Sequence, residues 1–278
     1  MTPRIRHIAS LWSLVGYPHP KRPWSLERQI AAIKEAGFDG FAAQAGPEHR
    51  KLAEKYDLLV VGYLASAKIS EFSRLLKSQR DAGAHYINVH MGRHDTLTPE
   101  ALKMAVALFE AAEKIGVEPS IEVHRDLCTE TPEKTYALAD AFRKATGRLL
   151  PLTWDFSHLA VVKHLHPDNF SRRLLTHPAL IQRADQFHCR PFNGHHAQVP
   201  VTDGKGRLTP EVKDYLPFVE DLFRLWLKGR QKGRELYVVP EMGPVPSGYN
   251  ISTWPSAWED TVRLRGLLDR IWKKALRG

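Results

Sequence analysis

Four short stretches of the chain carry side chains suited to metal and proton chemistry. They are SIEVH with Glu122 and His124, TWDFSH with Asp155 and His158, QFHCR with His188 and Arg190, and VVPEMG with Glu241. Each lies at the end of an apolar run of strand length. A core strand has no use for an unpaired charge, because desolvating one costs several kcal/mol or more. Asp155 therefore either caps a local turn or holds something. Three carboxylates and one imidazole gathered in one place would repel and raise one another's pKa values, and a divalent cation relieves that. An oxygen-rich set with one nitrogen suits Mn, Co, Zn or Mg, and ligand type alone does not choose among them.

The elements that would gather these groups are legible. Thr98-Pro99-Glu100, Thr131-Pro132-Glu133 and Thr209-Pro210-Glu211 each open an amphipathic run with an N-cap threonine, a proline at the first helical position and an early acid. The runs end near Gly116, Gly147 and Gly229. Ser25 opens a similar run that ends at Gly37, and a last helix starts near Ser256. Between them lie eight short apolar runs: IRHIASLW, FDGFAAQA, LLVVGYLA, AHYINVHMG, PSIEVHRD, LLPLTWDFSH, RADQFHCRP and LYVVPEMGP. A helical candidate follows each. The second, EHRKLAEKYD, is short, and the sixth, HPDNFSRRLLTHPALI, is less regular. Apolar strands alternating with amphipathic helices predict a parallel sheet covered on both faces. Eight such units in 278 residues predict one α/β domain over 1–278, a closed (β/α)8 TIM barrel. No glycine-rich phosphate loop follows the first strand to favour an open doubly wound sheet. In a barrel the C-terminal ends of strands five to eight converge on one mouth, where catalytic groups sit.

Composition narrows the class. Hydrophobic residues make up 43% and charged residues 26%, ordinary for a globular protein with a real core. Two cysteines, Cys128 and Cys189, give no disulfide framework and favour a reduced, cytoplasmic setting. The N-terminal segment faintly imitates a signal peptide, but its apolar run is short and interrupted, and it reads as a first strand. No run is long enough to span a membrane. The formal charge is +9, with the lysines and arginines scattered along the helices. That suits a solvated basic surface or acidic substrates as well as nucleic acid.

The order Glu, Asp-x-x-His, His, Glu on strands five to eight resembles the xylose isomerase-like barrel superfamily. The superfamily includes sugar isomerases and epimerases, inosose and dehydroshikimate dehydratases, and endonuclease IV. The resemblance covers nearly the whole chain in strand order and is specific at these short motifs. It implies that Glu122, Asp155, His188 and Glu241 coordinate one divalent metal. It further implies that Glu122 and Glu241 exchange protons with the substrate, and that His158 and Arg190 hold substrate oxygens. Members often associate, so a homo-oligomer is compatible with it. The chemistry is coherent without the family. Isomerising or epimerising a sugar or sugar-like hydroxy-ketone takes a proton from a carbon beside C=O through an enediolate, which a metal stabilises. One carboxylate acts as base and a second group returns the proton.

Other residues are expected near the mouth. His124 shares the face of Glu122 by the period-two rule, and His90 ends the fourth strand. Trp12 and Trp154 are candidates for an apolar wall against a sugar face. Arg190, His195 and His196 stand in a loop that could bind a phosphate or carboxylate, and Asp126 is expected to pair with a neighbouring arginine. Tyr249, Trp254 and Trp258 follow the last strand and could close over the mouth or mediate a subunit contact. The closest rival is a dehydratase or lyase acting on a keto-sugar or cyclitol, with His158 or His124 as the acid. An endonuclease would need further histidines that the third strand lacks, so no nucleic-acid partner is expected. A non-catalytic carbohydrate-binding barrel would need no paired glutamates.

Overall fold

The structure is a computed structural model that describes residues 2–229 and 232–277. Strands β1 (Arg4–Ser10), β2 (Gly40–Ala43), β3 (Leu59–Ser66), β4 (Tyr86–Met91), β5 (Glu118–Val123), β6 (Leu152–Trp154), β7 (Gln186–His188) and β8 (Glu235–Val239) pair in chain order, all parallel. The sheet closes between β8 and β1, with Ile5 opposite Leu236 and His7 opposite Val238. The result is the α/β (β/α)8 barrel that the alternation predicted.

Helices α1 (Leu26–Glu35), α2 (Pro47–Tyr56), α3 (Phe72–Asp81), α4 (Thr98–Ile115) and α5 (Pro132–Thr146) follow the first five strands. The β6–β7 connection holds α6 (Phe156–Val162), α7 (Phe170–Leu174) and α8 (Pro178–Arg183); α9 (Pro210–Leu227) and α10 (Ala257–Ala275) follow β7 and β8. The main core fills the layer between sheet and helices, from Leu108 on α4 and Phe142 on α5 to Phe223 and Trp226 on α9. Inside the barrel a small cluster of Ile8, Val61, Tyr237 and Val239 plugs the bottom. Burying such side chains stabilises by about 1.5–3 kcal/mol each. Among the described residues no helix is long and apolar enough to cross a membrane.

Most caps follow the sequence. The hydroxyls of Ser25, Thr131 and Thr209 accept hydrogen bonds from the backbone N–H of Arg28, Lys134 and Val212. Gly116 and Gly147 end their helices with positive φ of 79° and 72°. Thr98 differs. It lies inside α4, the N-cap is Leu97, and no side-chain cap forms. The Thr96 hydroxyl one turn earlier instead accepts from Arg93 N–H, so the chain turns before it reaches Thr98.

The irregular sixth segment breaks where its prolines stand. Pro167 starts a 3-10 turn and Pro178 starts α8. An unexpected helix precedes them. β6 ends at Trp154, and Asp155 is the N-cap of α6, its Oδ1 accepting from Ser157 N–H at 3.0 Å.

Candidate metal centre

The capped helix answers half of the question about Asp155 and leaves its second oxygen. Oδ2 is buried and makes no hydrogen bond. It lies 3.1 Å from Arg190 Nη2 and 3.4 Å from His158 Nε2. The cap fixes the carboxylate with one oxygen engaged by the helix and the other free toward the barrel mouth.

Around that free oxygen the barrel ends assemble the other three groups. Glu122 is in β5, His188 ends β7, and Glu241 stands two residues beyond β8. One ligand atom from each of Glu122, Asp155, His188 and Glu241 can be chosen so that all four lie within 4.8 Å of one another. His188 Nδ1 sits 3.1 Å from Glu122 Oε1 and 3.3 Å from Glu241 Oε2. Three of the four are almost wholly buried, and the Glu241 side chain keeps 13% exposure.

The electrostatics are those of a site that wants positive charge. Burial works against charge on Glu122, yet His188 and His90 outweigh it and hold its carboxyl well below the usual range. Glu241 is lowered as well, since His188 and Arg190 overcome its burial. Asp155 goes the other way. Burial pushes it up to about 6, with Arg190 opposing and the two glutamates adding to the rise. His188 is raised well above its ordinary value, because Glu122 and Glu241 outweigh its desolvation.

These residues fit a divalent cation. The donor set is three carboxylates and an imidazole, Asp155 Oδ2 and His188 Nδ1 are buried without hydrogen-bond partners, and the ligand atoms converge. The surrounding contacts resemble those that orient metal ligands. The Gln186 side-chain amide meets His188 Nε2 at 2.7 Å. The atom facing His188 there is Gln186 Nε2; a cation on Nδ1 leaves the proton on Nε2, and the Gln186 amide must then turn over to present its oxygen as acceptor. Asn88 Nδ2 and His90 Nε2 both bond Glu122 Oε2, His90 at 2.7 Å.

A cavity of about 640 Å³ opens over this centre. Glu122, His188, Arg190 and Glu241 line it, and so do the expected His90, His124 and Trp12. His90, His124 and His158 form a row, with ring centroids 4.5 Å and then 4.1 Å apart. Burial lowers His124 to about 4, and burial followed by the charge of its neighbours lowers His158 further. Both rings are neutral at pH 7. His158 stands behind His124, fully buried, and is not among the cavity-lining residues.

Arg190 is deeper than a substrate clamp on a loop. Its side chain is 1% exposed, Nη2 bonds Glu241 Oε2 and approaches Asp155 Oδ2, and the guanidinium packs on Tyr249 at 4.2 Å. Its Nε and Nη1 have no hydrogen-bond partner. Tyr249 is the residue after β8 that reaches the mouth. It meets Trp12 edge-on at 5.2 Å and carries Arg125 on its ring at 4.4 Å. Gly243 permits this wall, since a Cβ there would come within 2.5 Å of Trp12 and 2.7 Å of Tyr249.

Several expected residues lie elsewhere. His195 and His196 are exposed and do not line the cavity; their backbone N–H groups bond Asn193 Oδ1, which turns the loop outward. Trp154 is fully buried and stacks on Phe156 at 5.0 Å, because its side chain faces the helix layer and not the mouth. Trp258 packs in the core against Phe38. Asp126 pairs with His94 at 3.0 Å rather than with an arginine. The reading of the sequence passed over Asn88, Gln186 and Tyr63, whose hydroxyl meets His90 Nδ1 at 2.9 Å. Asn88-x-His90 and Gln186-x-His188 both follow the alternation that found His124, so period two could have found them.

No family model and no curated protein matches the chain. Solved structures do. The D-allulose 3-epimerase of Methylomonas sp., in complex with D-allulose, matches with a TM-score of 0.60 at 16% identity, covering 98% of this chain and 97% of that one. An L-ribulose 3-epimerase matches with a TM-score of 0.63 at 14% identity, over 100% and 96%. A xylose isomerase-like TIM barrel protein from Mycobacterium smegmatis, in complex with magnesium, matches with a TM-score of 0.57 at 14% identity, over 96% and 97%. At these identities the likeness is one of fold, the (β/α)8 barrel that this chain shares with them.

Proposed function

We propose that the protein is a divalent-metal-dependent isomerase or epimerase of a sugar or sugar-like hydroxy-ketone. The single observation that carries the reading is the convergence of Glu122, Asp155, His188 and Glu241, with Glu122, His188 and Glu241 lining one cavity. The sugar epimerases of the same fold support it. The four residues would hold one Mn, Co, Zn or Mg ion. When bound, such an ion polarises a substrate carbonyl and offsets the negative charge that develops on its oxygen.

The chain's own groups do the proton work. Glu122 and Glu241 are the carboxylates that line the cavity, and both are held ionised. One takes the proton from the carbon beside C=O, the C–H electron pair moves toward the carbonyl oxygen, and an enediolate forms. The other returns to carbon a proton it has first taken from water, which inverts that carbon; return to the neighbouring carbon instead, with the hydroxyl proton passing to the former carbonyl oxygen, moves the carbonyl. Arg190 Nε and Nη1 are donors for substrate oxygens. His90 and His124 border the same space, and Trp12 with Tyr249 forms a wall for an apolar sugar face.

The lyase alternative needs an acid beside the leaving hydroxyl. His158 does not line the cavity and His124 does, so His124 is the histidine that reading would use, and the likeness to sugar epimerases favours isomerisation or epimerisation.

The test is deuterium wash-in from D2O across a panel of ketoses, keto-glycosides and inososes, with metal-loaded protein. The wild type is expected to label at least one substrate beside its carbonyl. Glu241→Gln is expected to fold normally and lose labelling by 10²-fold or more, on the order of the contribution of one general base. Full labelling in that variant would remove Glu241 from the reaction.

A further inference from the structure

The cavity is larger than the sugar chemistry requires. About 640 Å³ is in the range that takes a drug-sized molecule and exceeds what one sugar ring fills. The surplus lies on one side. Strands β4 to β8 bring large polar groups to the mouth. Strands β1 and β2 bring Ser10 and Ala42 to the cavity wall, beside Tyr63 of β3. Small side chains at Ser10 and Ala42 leave open space where larger ones would fill the barrel mouth.

The outer wall of that space is apolar. Leu11, Val15 and Leu26 line it, from the 3-10 turn after β1 and the first residue of α1. Val15 is 50% exposed at its rim. Two of the polar residues at the same end are partly engaged by local groups. Gln29 Nε2 donates to Trp24 carbonyl, and His49 Nδ1 accepts from Gly46 N–H. The arm offers an occupant mainly apolar surface, with Gln44 beside it.

We infer that this arm is an aglycone subsite, and that the substrate is a keto-glycoside, whose ring ketone supplies the carbonyl and whose aglycone is an apolar aryl or alkyl group. The inference rests on the proposed sugar chemistry for its other half. The sugar ring lies over the carboxylate centre beside Trp12 and Tyr249, and the aglycone extends across Ala42 toward Leu26.

The test is calorimetric titration of the full chain with matched pairs of methyl and phenyl keto-glycosides of common hexoses. Burying one phenyl ring in the arm should tighten binding about tenfold or more over the methyl partner. Val15→Asp suits the fold on an exposed turn; Leu26 is half-buried against the core, so Leu26→Ala is used there, with its melting temperature measured beside wild type. Each should cut the phenyl-over-methyl ratio severalfold and leave methyl-glycoside affinity unchanged. Equal affinities within every pair, no binding by any pair, or a phenyl preference that survives both variants would overturn the subsite. So would a disaccharide that binds more tightly than the phenyl glycoside. A phenyl preference without deuterium wash-in would keep the arm and remove the reaction. Wash-in on free ketoses with equal affinities would keep the reaction and remove the arm.

Discussion

Asp155 shows how one residue serves local structure and chemistry together. Its Oδ1 caps α6, and its Oδ2 makes no hydrogen bond and lies 3.1 Å from Arg190 Nη2, beside the other groups of the candidate centre. Of the two alternatives that its position raised, one oxygen serves the cap and the other is the one proposed as a ligand. His188 adds a consequence for pH. The glutamates raise it well above its ordinary value, so at pH 7 its imidazole is protonated. A cation at Nδ1 must displace that proton. Metal binding is therefore expected to release about one proton and to tighten by up to about tenfold per pH unit while His188 stays protonated. Calorimetry in buffers of different ionisation enthalpy measures the proton directly. The sign is fixed by the direction of the shift: a raised histidine competes with metal more strongly as pH falls. Binding without proton release would show that His188 is not displaced, and would argue against Nδ1 as a ligand.

At the scale of elements, the loop after β7 is what holds Glu241 in place. Gln198 makes a two-way pair with Gly243, its Nε2 donating to the carbonyl at 3.1 Å and its Oε1 accepting the N–H at 2.6 Å. Asp260 of α10 anchors the same loop, accepting from Val201 N–H and the Thr202 hydroxyl. Replacing Gln198 with leucine leaves two buried backbone groups unmet, at about 1–3 kcal/mol each. Gln198→Leu is expected to lower the melting temperature and to slow proton exchange, with metal content retained; a variant as stable as wild type would dismiss the clamp. None of this was legible in RPFNGHHAQVPVTDGKGRLTPE, because a glutamine that satisfies a distant backbone has no local signature. The caps at Thr131 and Thr209 were legible, since threonine, proline and acid act within one turn. α6 was not. An apolar run broken only by Asp155 reads as a longer strand, and the cap becomes visible only once the chain has turned.

Across the whole molecule, the closed barrel was legible because the signal repeats eight times, and errors in single elements such as Thr98 do not propagate. Most of the candidate centre was legible for the same reason. The strand ends of a parallel barrel all point to one mouth, so chemistry-bearing residues at those ends meet without any need to compute contacts. Glu122, His188 and Glu241 meet there with Asp155, and His90, His124 and Trp12 line the cavity above them. What failed was one loop and one strand end. His195 and Trp154 lie close in sequence to residues of the centre, yet one turns outward and the other faces the helix layer. Sequence proximity to a strand end does not set the side of the sheet on which a side chain falls. The basic charge of +9 stays spread over the surface in many ion pairs, such as Lys77 with Asp81 and Arg50 with Glu54, each worth little by itself.

The central claim is that the four converging residues form a divalent-metal site, and elemental metal analysis of the wild type beside Asp155→Asn tests it most directly. Asparagine keeps an oxygen for the cap of α6 and removes the charge at the buried Oδ2, so the fold should survive while the site does not. The account predicts about one Mn, Co, Zn or Mg ion per wild-type chain and loss of it in the variant. Equal metal content in the two proteins, or a wild type that cannot be loaded with any of these ions, would contradict it.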